Sequence, residues 1–373
     1  MNNDFYLNSK KKKIKWYRCT IEREKLKKLS ERSDLKGFYQ AFGHITLWAL
    51  TGTSVYLSFS NEYWIIFILS LFVHGTIGTF FDPPFHELSH GTVFRTKIYN
   101  EIFIRFFSLF GWLNFYIYKM SHTFHHRFTL HRDTDHEFIL PRTPSLKFLY
   151  LLQLFTFNFT GGFESRGLIP TLKDFILHSF NNLEKPFSDW GSELYKGKID
   201  EQRKAVNWAR FVLFFHVSLT FLFLYINQPI LIIIISGHIF IGNWLRYFVG
   251  MPMHIGLKSD VPDFRKCVRT IKINPLFEFL YWHMNWHLEH HMFAGVPCYN
   301  LKKLHKIVSD EMPKPRTLFG AWKEMRDTWK KQQINPDYEF DTPVPNKNNS
   351  QIEQKKDNDL ESSFGDLVPI GLK

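Results

Sequence analysis

The chain has little cysteine: three in 373 residues. Cys19, Cys267 and Cys298 stand in no spacing that would build a disulfide framework, a zinc ribbon or a thiol redox pair. It also lacks the Cys-rich run of an iron–sulfur protein, the G-x-G-x-x-G of a dinucleotide site and a fused b-type cytochrome motif. Acidic residues are outnumbered, 35 against 47 Lys plus Arg, for a net charge of +12. That excess would suit nucleic acid, but no nucleic-acid motif accompanies it, and membrane topology with anionic headgroups accounts for it more simply. Nucleic acid is therefore not an expected partner.

Charge is absent altogether from some long stretches. Phe38 to Phe59 and Tyr63 to Phe81 contain no Lys, Arg, Asp or Glu, and each suffices for the ~20 residues that cross a bilayer. Phe211 to Ile226 and Ile230 to Leu245 form a second apolar pair, the first of them short. The links inside the pairs, Ser60-Asn61-Glu62 and Asn227-Gln228-Pro229, carry no basic residue, whereas Lys10 to Lys13, Lys15, Arg18, Lys27 and Lys28 lie outside them. The positive-inside rule makes that outer side cytoplasmic. Residues 1 to 37 are too long and polar for a signal peptide, so the first span is expected to stay as an anchor.

Ile102 to Ile117, with Arg105 inside it, is short for a span and is expected in the interface, as is Phe148 to Phe163. Beyond about Trp329 the hydrophobic pattern fades into Lys, Gln, Asn, Asp and Pro, which predicts disorder. The reading is an all-α integral membrane protein with four transmembrane helices in two hairpins. Residues 1–37 form a basic cytoplasmic segment, 38–330 the membrane domain and 331–373 a polar disordered tail.

Histidine is what the chain has in a pattern. His86 and His90 occur in HELSH, His122, His125 and His126 in HTFHH, and His287, His290 and His291 in HLEHH, all on the side expected to be cytoplasmic. With 18 His in the chain, H-x-x-H-H should arise by chance roughly 0.04 times; it occurs twice. On a helix, positions i, i+3 and i+4 share a face, so each cluster presents imidazoles to one point. Neighbours such as His125 and His126 differ by ~100° in direction, which lets one triplet serve two metals. HELSH alone also fits a zinc peptidase, but eight imidazoles exceed the three ligands and open position of a catalytic zinc.

Hairpins carrying H-x-x-x-H, H-x-x-H-H and H-x-x-H-H resemble the membrane fatty acid desaturase and hydroxylase superfamily, from about residue 38 to about residue 310. FHELSHGTVF and NWHLEHHMFAGVP are similar to that family in particular. The resemblance implies a di-iron centre held by the eight box histidines, with His254 in MPMHIGL as a further nitrogen ligand in the matching place. It implies reductive activation of dioxygen and attack on an unactivated C–H bond of a fatty acyl chain of a membrane lipid. Desaturation is the expected outcome; hydroxylation or ketolation of a lipid or isoprenoid is the alternative on the same site. A peptidase using HELSH and a non-enzymatic metal or haem carrier are the rivals from other classes. Since no electron-carrying motif is present, the resemblance also implies a separate donor, a ferredoxin, rubredoxin or b-type cytochrome, steered by the basic face.

Other residues have blander expectations. His44, His74, His216 and His238 lie in apolar spans and read as packed core histidines. His283 is a candidate for orienting a ligand from behind, and His131 and His136 belong to a charged surface loop. Glu87 and Glu289 are candidates for accepting a ligand imidazole N–H. If Ile102 to Ile117 lies in the interface, all three boxes share one side. Single cysteines at Arg132, Lys258 and Lys302 should then label from the cytoplasm, and labelling of the first from the opposite side would refute this arrangement.

Overall fold

A computed structural model describes residues 13–137, 145–161, 166–184 and 190–345. The described chain is mostly helical, with one two-residue pair of parallel strands, β1 (Ile271–Lys272) and β2 (Arg316–Thr317). The first long helix, α1 (Asp34–Ser60), opens on Ser33, whose side chain accepts from the Lys36 N–H; such a cap satisfies a donor that has no partner within the helix. A turn through Glu62 at φ 59° leads to α2 (Trp64–Gly78), which packs back along α1. Ser54 and Ser70 meet at 2.8 Å and Thr51 meets His74 Nδ1 at 3.0 Å across this pair, while Leu50, Ile65, Ile68 and Leu69 face outward.

The chain then kinks. Residues 79–81 tighten into a 3-10 turn with Phe80 at ψ 21°, and α3 (Asp82–Ser89) begins with Pro83 and Pro84 in its first turn. Proline is tolerated at that position because the first turn has no N–H bond to lose. This redirects the first histidine box away from the axis of α2.

The stretch expected in the interface proves to be two helices. The first, α4 (Lys97–Phe110), ends at Gly111, and a turn with Trp112 at φ 50° leads to α5 (Phe115–Phe128), which carries the second box. At 14 residues each, they reach only ~21 Å, short of a bilayer core. The other such stretch is helical only over Phe148–Phe155, after which residue 157 bridges to Ile241; Gly162 and Phe163 lie outside the described residues. The second long helix, α6 (Ile199–Tyr225), supports α5: Trp208 Nε1 donates to the Leu113 carbonyl and the Asn114 amide to that of Ala205. Phe214, Phe221 and Leu224 on α6 are exposed.

Among the described residues two helical stretches are long and apolar enough to cross a membrane, Trp64–Ser89, which runs on through the kink, and Ile199–Tyr225; α1, which holds the first expected span, does not reach that measure. The fourth expected span needs correction. Residues 230–245 are not one helix but π and 3-10 turns over 232–240, followed by extended Ile241 and by Gly242 at φ 64°. The break lets the backbone press against α2: a side chain on Gly242 would meet the Phe72 carbonyl at 3.1 Å, and one on Gly75 would meet that of Ile241 at 2.5 Å. Only glycine permits both the dihedral and the approach.

The third layer is a cap formed by α7 (Trp244–Gly250), the loop bearing His254, α8 (His287–Met292), α9 (Cys298–Val308) and α10 (Leu318–Gln332). Buried Arg269 holds it together, pairing with Glu324 on α10 at 2.6 Å and donating to the carbonyls of Pro252 and Ile255. All three cysteines are buried.

The described parts of both termini lie on the cap. Trp16 stacks on Phe264 at 4.0 Å and donates to the Arg127 carbonyl, so the basic arm crosses the cap. The tail expected to be disordered from 331 is helical to Gln332; further on, Glu339 takes Ser259 and Arg132 and the Phe340 N–H reaches the Gly256 carbonyl. A short polar segment needs little apolar area when its charges find fixed partners. Residues 346–373 lie outside the described ones.

Gly75→Ala should lower stability by about 1–3 kcal/mol, as overpacking does, whereas Gly237→Ala, with nearest contact at 3.6 Å, should be tolerated. Thermal unfolding of the detergent-purified variants checks this, and equal melting temperatures would contradict the close approach of α2 to Ile241.

Candidate metal centre

Each box sits on a short helix, so its spacing becomes a shared face: box one on α3 and its end, box two on α5, box three on α8. The nine histidines gather in two groups. His86, His90, His122, His126 and His290 form the first, and His125, His254, His287 and His291 the second; within each group one ring nitrogen per residue lies within 4.8 Å of the others. Boxes two and three both divide between the groups, because adjacent positions on a helix point ~100° apart. The His126 and His291 rings stack at 4.3 Å where the groups meet.

Five of the nine rings are held at the nitrogen away from their group, whereas Nδ1 of His126, His287 and His290 has no hydrogen-bond partner among the described residues. His122 Nδ1 faces Glu137 at 2.9 Å, His125 Nδ1 faces Asp135 at 2.8 Å, and His254 Nδ1 faces the Cys267 carbonyl at 3.0 Å. These oxygens can only accept, so Nδ1 carries the proton and Nε2 turns a lone pair inward. Tyr118 and Thr129 hydroxyls meet Nδ1 of His86 and His291. Inside the groups, His86 and His290 approach at 2.8 Å and His254 and His287 at 2.9 Å, Nε2 to Nε2. Nε2 of His90 and of His122 are buried with no hydrogen-bond partner among the described residues.

Converging, unpartnered imidazole lone pairs are costly alone and fit a metal ion, which takes them as ligands. Electrostatics agree. Burial and then neighbouring imidazoles push His122, His126, His287, His290 and His291 well below the ordinary histidine range, and burial takes His90 to about 4. Neutral imidazole is the ligating form. His125 is the exception: burial, the largest influence, works against its cation, but the charge and hydrogen bond of Asp135, with Glu137 behind them, raise it on balance.

Several expectations change. His131 is buried against Trp16, not a surface residue, and His136 stacks on Trp190. Glu289 takes His305 and Thr270 rather than a box histidine. His283 lies outside both groups, against Glu278. Glu87 is fully buried with its nearest box nitrogen, His290 Nδ1, at 3.5 Å. His44, His74 and His216 are buried with hydrogen-bonded rings, and His238 is buried among Trp48 and Phe81. Sequence reasoning missed Asp135, Glu137, Tyr118 and Thr129. For the first two the signal was the acid-rich HRDTDHE directly after box two.

Fold and site define a helical protein organised around histidine clusters that can hold metal. The family model described as Fatty acid desaturase matches residues 62–322, which include all nine histidines, and the chain belongs to that family. It is thereby a desaturase- or hydroxylase-type oxidoreductase of a membrane-bound family. A comparison with curated proteins gives no match.

Asp135→Asn and Glu137→Gln should each weaken metal binding by about 10–100-fold, the usual effect of removing a partner behind a ligand, while Asp260→Asn on the exposed loop should not. Metal titration of the stripped proteins checks this; unchanged affinity would remove the two carboxylates from the site.

Proposed function

We propose that the protein is a membrane-bound di-iron oxidoreductase that uses dioxygen and external electrons to desaturate a fatty acyl chain. The observation that carries this reading is the division of nine imidazoles into two groups, drawn from three boxes and His254. The five of the first group and the four of the second would hold one iron each. Bound there, iron supplies reductive activation of dioxygen and abstraction of hydrogen from an unactivated C–H bond. The chain's own residues do the rest. Glu137, Asp135 and the Cys267 carbonyl keep Nδ1 protonated and the rings aimed, and the burial of the site excludes bulk water from the reacting space.

A zinc peptidase built on HELSH needs the Glu87 carboxylate beside an open metal position; here it is fully buried near His290 Nδ1, with no hydrogen bond to either oxygen among the described residues. That leaves it poorly disposed to activate water for an incoming peptide. Hydroxylation remains the alternative outcome on the same histidines.

The membrane arrangement proposed is two hairpins, α1 with α2 and α6 with the broken segment after it, and boxes and termini on the cytoplasmic side. Outward-facing Ile65, Ile68, Phe214 and Phe221 support contact with lipid. Exposed Lys302, Lys303 and Lys306 on α9, beside Lys27 and Lys28, support docking of an acidic electron carrier near box three.

His125→Ala, His291→Ala and His254→Ala should each lose bound iron and nearly all dioxygen-dependent product, while His44→Ala keeps both. The assay supplies acyl substrate, dioxygen, a nicotinamide reductant, and a ferredoxin, rubredoxin or b-type cytochrome with its reductase. Turnover should need the carrier and fall with salt. Full activity in His125→Ala or His291→Ala would end the di-iron reading, and sustained turnover without any carrier would end the separate donor.

A further inference from the structure

A narrow cleft lies between the end of α2, Arg166 and the broken segment leading into α7, with Asp82 at the start of α3 on its wall. Phe81 and Ile239 give it apolar walls; Asp82, Arg166, Asn243 and Arg246 give it polar ones. Arg246 closes on Asp82 with two bonds, Nε to Oδ1 at 2.7 Å and a terminal nitrogen to Oδ2. Arg166 reaches the same Oδ2 only at 3.5 Å and makes no hydrogen bond among the described residues. One carboxylate thus faces two guanidinium groups, leaving one positive charge uncompensated. Asn243 is already engaged, donating to the Ile239 carbonyl and accepting from Asn158. The free donors in the cleft belong to Arg166, whose side chain is 27% exposed.

A guanidinium with free N–H groups in a sheltered, partly apolar cleft is the partner of a planar oxyanion, and a single excess charge matches a monoanion. Asp82 lies one helical turn before His86, ~6 Å along the axis, and Tyr118 bridges the two regions by packing on Phe85 and meeting His86 Nδ1. A group held on Arg166 would lie against Asp82, one turn of α3 from His86. We propose that this cleft binds the free carboxylate of an acyl substrate on Arg166, with the Arg246–Asp82 pair fixing the wall behind it. On the oxidoreductase reading, from which this second part follows, the C–H bond attacked lies close to the polar end of the chain rather than at its middle.

The test measures binding of radiolabelled palmitate and of its methyl ester to the iron-loaded, full-length protein in detergent. Palmitate should bind tighter by about 10-fold or more, the worth of a charge-assisted hydrogen bond. Arg166→Gln should abolish that preference while leaving methyl ester binding and iron content unchanged, and Arg166→Lys should retain part of it. Equal binding of acid and ester by the unaltered protein, a comparison that needs no variant, would overturn the site. So would an undiminished preference in Arg166→Gln, or lysophosphatidate displacing palmitate more strongly than palmitate itself does. Product analysis separates the two readings. A carboxylate preference with no dioxygen-dependent product refutes the oxidoreductase reading and leaves the site standing, whereas a preference with oxidation at mid-chain overturns the proposed placement.

Discussion

The inward convergence of unprotonated imidazole nitrogens is the constraint on which the rest of the structure depends. Rings whose acceptor nitrogens share a few ångströms leave lone pairs without donors, and protonating them would bring like charges together in a buried space. The fold holds them there by gripping five of the nine rings from behind and by packing three helices so that they cannot splay. Asp135 and Glu137 grip two rings of box two, and the Cys267 carbonyl grips His254. Arg269 ties the His254 loop to α10 through Glu324. The site is thus assembled from distant parts of the chain and depends on their joint packing.

That packing explains the irregular backbone near the site. A straight continuation of α2 would carry box one along the helix axis, but the turn at 79–81 and the prolines opening α3 redirect it. The segment after α6 likewise gives up regular helix at Gly242, where close contact with α2 leaves no room for a side chain. Such departures are expected where a functional arrangement outranks local regularity. The described parts of both termini then lie over the cap, Trp16 beside Phe264 on one side and Glu339 at Ser259 on the other.

How much was legible in the sequence follows from the same physics. The histidines could be found because i, i+3 and i+4 spacing encodes a shared face, and His254 because of its place in the family resemblance. The partners behind them could not be assigned: which of Asp133, Asp135 and Glu137 meets which ring depends on a loop whose path no periodicity encodes. The α1–α2 hairpin was legible from two charge-free runs with a short polar link. The break at 232–242 was not, since Ile230 to Leu245 has the hydropathy of a helix and only contact with Gly75 and Thr76 shows why it bends. His131 looked like a surface residue because its neighbours are charged; Trp16, over one hundred positions earlier in the chain, covers it.

Anomalous diffraction at the iron edge from the iron-loaded protein tests the central claim most directly. The account requires two peaks, one bounded by His86, His90, His122, His126 and His290 and the other by His125, His254, His287 and His291. A single peak, or two groups that take up zinc and refuse iron, would contradict it.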